Sequence, residues 1–101
     1  MTLQWAGAVL AVLTLATIGL GHVAVRELNY RYGTRPMPLF LLVGLGFLGV
    51  SLLVTDNLAS AALGILGITA LWDAVEFIRQ EERIRRGHAP ANPDRPVELR
   101  R

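Results

Sequence analysis

The sequence has 101 residues, enough for one small domain, carries a formal net charge of +2 and contains no cysteine, which excludes a disulfide framework and thiolate chemistry. It is 52% hydrophobic and 18% charged, and its charges are absent from Trp5 to Val25, from Met37 to Thr55 and from Leu58 to Trp72. A water-soluble domain this small would have to expose much of that surface, so the three runs read as membrane spans.

The first run, WAGAVLAVLTLATIGLGHVAV, has 21 residues, enough to cross the hydrocarbon core as a helix. A secretory signal peptide is the competing reading. It needs a basic start and a short apolar stretch, whereas MTLQ has no basic side chain and the run is long. The expectation is a retained span at about residues 5–25. The segment RELNYRYGTRP then reads as a basic loop, with Gly33 suited to a positive φ or a close turn. The second run gives a span at about 37–55, with Pro36 and Pro38 suited to a helix start, where a missing N–H costs no bond. Thr55-Asp56-Asn57 is a tight turn in which Asp56 or Asn57 can cap the next helix.

The third run, LASAALGILGITALW, has 15 residues and becomes long enough to span if AVEFI is counted. A re-entrant or buried helix is the alternative. A span at about 58–78 is expected, with the helix continuing to 86 and stopped by Gly87, since residues 73–86 contain no Pro or Gly. Residues 88–101, with Pro90, Pro93 and Pro96, form a Pro-rich tail.

Arginine alone carries the orientation signal, because the sequence has no lysine. Arg26, Arg31 and Arg35 lie in the first connection, only Asp56 in the second, and seven arginines against four acids from Arg79 onward. The positive-inside rule then predicts an all-α, three-helix integral membrane protein, N-terminus outside, with the third helix extending into the cytoplasm. Trp5 and Trp72 suit opposite headgroup levels, and Tyr30 and Tyr32 the basic side. Glycines in the spans favour close helix packing over a pore lining, with Gly7–Ala11, Ser60–Gly64 and Ala70–Ala74 as small pairs four apart.

The candidate functional residues gather at one depth. His22 lies ~25 Å down the first helix and Asp73 ~22 Å down the third at 1.5 Å per residue, with Arg26 and Glu27 just beyond. Thr69, Asp73, Glu76 and Gln80 share one helical face. Three readings of His22, Glu27, Asp73, Glu76 and Gln80 compete. They form an interhelical belt in which His22 or Arg26 pairs with Asp73 and Glu76 with an arginine. They handle a proton or cation. Or they make a docking face for a larger membrane partner. No catalytic motif and no metal-ligand spacing is present, and no cofactor is expected. The arginines are interleaved with acids beside a membrane, which points to anionic headgroups rather than nucleic acid as partner.

EFIRQEERIRRGHAPANPDR resembles the C-terminal signature of the DUF4491 family of small bacterial membrane proteins of unknown function. Trp72, Glu76, Gln80, Glu81, Glu82, Arg83, Gly87, Pro90, Asn92, Pro93 and Arg95 match that register, and His22 and Gly33 (in YRYGTRP) match the earlier part. The sequence departs at His88 and Ala89, where aromatics often follow the glycine, and at Ala91, which replaces a basic residue. The resemblance implies a three-span layout and a bacterial inner-membrane location, and brings no activity. The reading is a non-enzymatic structural or accessory subunit, self-associating or docking on a larger membrane complex. The alternative is an oligomeric channel or transporter for protons or cations.

Overall fold

A computed structural model describes residues 3–94. Residues 95–101 of the expected tail, including the matched Arg95, lie outside the described residues. Three helices follow in chain order: α1 (Ala6–Tyr32), α2 (Met37–Ser51) and α3 (Asn57–Arg85). α1 and α3 are each long and apolar enough to cross a membrane. Their apolar side chains are mostly outward, with Leu15 74% and Leu20 70% exposed on α1. Surfaces of this kind are stable in acyl chains, where the outward side chains meet a medium as apolar as themselves.

Each helix end has a local cause. The Asp56 carboxylate accepts from the Ala59 N–H at 2.8 Å and caps α3, satisfying one of its free amides. At the other end Gly87 takes a φ of 82°. Its N–H donates to the Ile84 carbonyl, and the His88 N–H to the Arg83 carbonyl, which closes the helix in a Schellman motif. Gly33, at φ 71°, ends α1, and its N–H donates to the Asn29 carbonyl. α1 thus runs to Tyr32, seven residues past the expected span, so most of the basic loop is helix. The Glu27–Arg31 ion pair, one turn apart at 2.7 Å, favours that continuation.

α2 has 15 residues, about 22 Å of helix against a hydrocarbon core of about 30 Å. It stops at Ser51, four residues before the expected end of the apolar run. The Leu52 and Leu53 N–H groups donate to the Gly49 and Val50 carbonyls, tightening the last turn. The Ser51 carbonyl accepts from the Ser60 hydroxyl of α3 at 2.7 Å, so the turn is tied across the helix pair.

α3 is the shared helix: it packs against α1 and against α2, while α1 and α2 do not pack on each other. The α2–α3 crossing is set by two glycines. A Cβ on Gly67 would stand 2.9 Å from the Gly44 carbonyl oxygen, and one on Gly44 would stand 2.9 Å from the Gly67 carbonyl oxygen. Backbone meets backbone there, as glycine permits between membrane helices. Gly7, Gly19, Gly46, Gly49 and Gly64 instead have nothing within 4 Å of such a Cβ. The core lies where α1 and α3 run on together. Val25, Ala74, Phe77 and Ile84 are buried there beside Asn29, Glu76, Gln80 and Glu81. Phe40 of α2 meets Phe77 edge to face, with ring centroids 5.1 Å apart. Such a pair is worth about 0.5–1.5 kcal/mol beyond its buried area.

Candidate functional site

Gly21, Val25 and Asn29 recur every four residues along α1 and form its buried stripe. Along α3 the buried residues Gly67, Ala74, Phe77, Glu81 and Ile84 recur at spacings of three, four and seven, with Gly67 against α2. Where the stripes meet, the Asp73 carboxylate lies against Gly21. A Cβ there would stand 2.5 Å from Asp73 Oδ2, so only glycine leaves room for the side chain as it lies.

Asp73 shares a crevice of about 120 Å³ with Ile18, His22, Thr69 and Trp72. His22 is brought beside it, as the matched depths imply, yet no hydrogen bond joins the pair and no ion pair within 4.0 Å does so. Arg26 does not reach Asp73 either; it lines a different cleft. The Thr69 hydroxyl is spent locally, donating to the Ile65 and Leu66 carbonyls at 2.8 and 3.1 Å.

Glu76 and Gln80, one and two turns further on, form a separate group. Glu76 is 5% exposed and takes two guanidinium groups, Arg83 Nη2 at 3.3 Å and Arg79 Nε at 3.7 Å. Gln80 Oε1 accepts from Arg83 Nη1 at 2.8 Å. Arg79 also lies over the Trp72 ring, 4.8 Å from its centre, which adds a cation–π contact at the end of the apolar run. Glu27 stays exposed on α1 in its pair with Arg31 and meets Gln80 only across a shared cleft. The five candidate residues therefore divide into a carboxylate–imidazole crevice and an arginine-bound belt.

Of two further buried residues, Asn29 escaped the sequence reading and Glu81 entered it only as a match to the family register. Asn29 is fully buried, and its Nδ2 donates at 3.2 Å to the Gly33 carbonyl and at 3.2 Å to the Phe77 carbonyl. The second bond ties α1 to α3. Glu81 is also fully buried. The signal for both was periodicity. Once α1 continues through the arginines, Asn29 falls on the Gly21–Val25 stripe, and the seven-residue spacing from Gly67 and Ala74 reaches Glu81. Among the described residues every buried side-chain nitrogen and oxygen has a hydrogen-bond partner. Among them, too, no three His, Asp or Glu side chains gather as a set of metal ligands.

The last turn of α3 is closed by charge. Glu82 bonds to Arg85 and to Arg86, the latter at 2.8 Å. The Arg85 hydrogen bond, helped by Arg86, holds the Glu82 carboxyl down to about 2 from its ordinary 4.5, and the same partner raises the Arg85 guanidinium. A depressed carboxyl stabilises the folded form fully above its unfolded pKa and ceases to do so as the pH drops through its folded one. Carboxyl resonances of labelled protein in micelles should show Glu82 ionised down to about pH 2. An ordinary titration near 4.5 would mean that the arginines do not hold it.

Beyond Gly87 the tail turns back. Asn92 Nδ2 donates to the Tyr30 carbonyl at 2.9 Å, pinning residues 88–94 to the end of α1.

No curated protein matches the chain, and no solved structure does. One family model, described as a domain of unknown function, matches residues 4–95, nearly the whole chain and both stripes of the site. The chain belongs to the DUF4491 family.

Proposed function

We propose that this protein is a non-enzymatic structural or accessory subunit of the bacterial inner membrane, self-associating or docking on a larger membrane complex. In this reading its N-terminus is outside and its arginine-rich end lies in the cytoplasm. The observation that carries the reading is the set of glycines with open space above them: Gly7 and Gly19 on α1, Gly46 and Gly49 on α2. Each costs about 0.5–1 kcal/mol of helix stability relative to alanine, and none of the described residues comes within 4 Å of the Cβ it lacks. The backbone of another helix, from a second copy or a larger complex, can approach there. The arginine-bound belt also fits a structural part, since Glu76 and Gln80 are consumed by internal bonds.

Gly7→Leu and Gly46→Leu should leave the monomer folded, because nothing lies within 4 Å of either new side chain's first carbon. They should lower the native mass of the particle extracted in mild detergent. Unchanged mass in both variants would remove the role given to these faces. Orientation is checked in intact cells, where a cysteine at Asn57 should react with a membrane-impermeant thiol reagent and one at Ala91 should not.

A second reading, an oligomeric path for protons or cations, draws on the Asp73 carboxylate, which stands beside His22 without a bond to it. It requires ion flux in proteoliposomes that Asp73→Asn abolishes.

A further inference from the structure

A polar cleft beside the arginine-bound belt has no part in that reading. It encloses about 480 Å³ between the ends of α1 and α3 and the returning tail, and is lined by Arg26, Glu27, Tyr30, Gln80, Arg83 and His88 among others. We propose that this cleft binds a phosphate group, either on an anionic lipid headgroup or as free phosphate.

The charges on its walls support an anion. Glu27 is already taken by Arg31 at 2.7 Å. Glu76 is shared by two guanidinium groups, Arg79 and Arg83, so one carboxylate answers two positive charges. Arg83 is 46% exposed, and its bonds to Gln80 and Glu76 hold the guanidinium while leaving other N–H donors unspent. Arg26 makes no ion pair and no hydrogen bond among the described residues. His88 contributes an imidazole whose backbone is fixed by its bond to the Arg83 carbonyl. Two guanidinium groups on facing walls, one of them already oriented, match the planar, multidentate recognition of a phosphate.

The surroundings suit a headgroup as one source. Arg26 directly follows the charge-free run, at the depth where an inward-crossing helix leaves the hydrocarbon. Val23 and Ile84 line the same cleft, so an apolar wall adjoins the basic one. The tail completes the cleft, since Pro90 lines it and the bond from Asn92 to Tyr30 holds the segment in place.

The test uses the full chain in lipid nanodiscs and in lipid-free detergent. Native mass spectrometry after exchange into mixed phosphatidylglycerol and phosphatidylcholine should show retained phosphatidylglycerol. Arg26→Gln should reduce that retention about tenfold or more, the loss expected for one charge-assisted contact. Arg35→Gln, an exposed arginine outside the cleft, should leave it unchanged. In detergent, inorganic phosphate should raise the melting temperature of wild type and not of Arg26→Gln if the source is free phosphate. Either arm responding at Arg26 alone supports the site and identifies the source. Equal losses in Arg26→Gln and Arg35→Gln would reduce the effect to diffuse surface charge and overturn it. No response in either arm would overturn it as well. Arg26 has no hydrogen bond or ion pair among the described residues, so its variant is expected to stay folded, and circular dichroism verifies this.

Discussion

Gly67→Leu should detach α2 from α3. The first carbon of the new side chain would fall 2.9 Å from the Gly44 carbonyl oxygen, 2.9 Å from the Leu48 amide nitrogen and 2.7 Å from Leu48 Cγ. Two of those neighbours are backbone and cannot swing aside, so the helices must separate. Overpacking usually costs roughly 1–3 kcal/mol, and this site belongs at the top of that range or above it. Little else holds α2, since its backbone lies close to no helix but α3. Gly64→Ala is the matched control: nothing lies within 4 Å of its Cβ, so it should be neutral or gain about 0.5–1 kcal/mol from better helix propensity. Thermal unfolding in micelles, with spin-label distances between α2 and α3, separates the two. Equal melting temperatures for both variants would show that the glycine crossing does not hold α2.

Asn29→Asp should be the most damaging isosteric change. The side-chain NH2 now donates to the Gly33 and Phe77 carbonyls from a fully buried position. A carboxylate would face the same two oxygens with a negative charge and no proton to give. Two carbonyl oxygens set against a buried carboxylate disfavour its charge, so the new group is expected to keep its proton well above the ordinary carboxyl range. Its raised folded pKa means that damage is small in acid and grows as the pH rises through that value. Asn29→Leu loses the bonds at every pH, for about 1–3 kcal/mol. Melting curves at acidic and alkaline pH check both. An Asn29→Asp variant as stable as wild type at alkaline pH would mean that Asn29 does not tie α1 to α3.

The helix ends were legible because their chemistry is local. Asp56 caps α3 and Gly87 closes it wherever the rest of the chain lies. Gly33 takes its positive φ for the same local reason. The length of α1 was less legible, because charge marks where a membrane ends and not where a helix does. Treating residues 26–36 as a loop hid Asn29, whose meaning depends on its place on a helical face. Glu81 was obscured similarly: within EQEER it reads as one solvated acid among several, and only the stripe from Gly67 sets it inward. The glycines show a third limit. Composition suggested close packing, but which of them pack depends on helix rotation. Gly21, Gly44 and Gly67 do, while Gly7 and Gly64, chosen from their small pairs, face open space. Asp73 and His22 were brought together as depth implied, yet Gly21 rather than a cation lies against the carboxylate.

That the backbones of α1 and α2 each pack on α3 and not on one another governs how the protein is made. Synthesis runs from the N-terminus, so both earlier helices leave the ribosome with nothing in the chain to pack on. Asn29 has no Phe77 carbonyl, and Gly44 no Gly67, until the third helix arrives. Most of the core side chains, from Ala74 to Ile84, come last of all. Assembly is therefore late, because both contacts wait for α3. A chain released before α3 has Asn29 and the Gly44 face uncovered, and gives quality-control proteases a substrate with no folded half to protect.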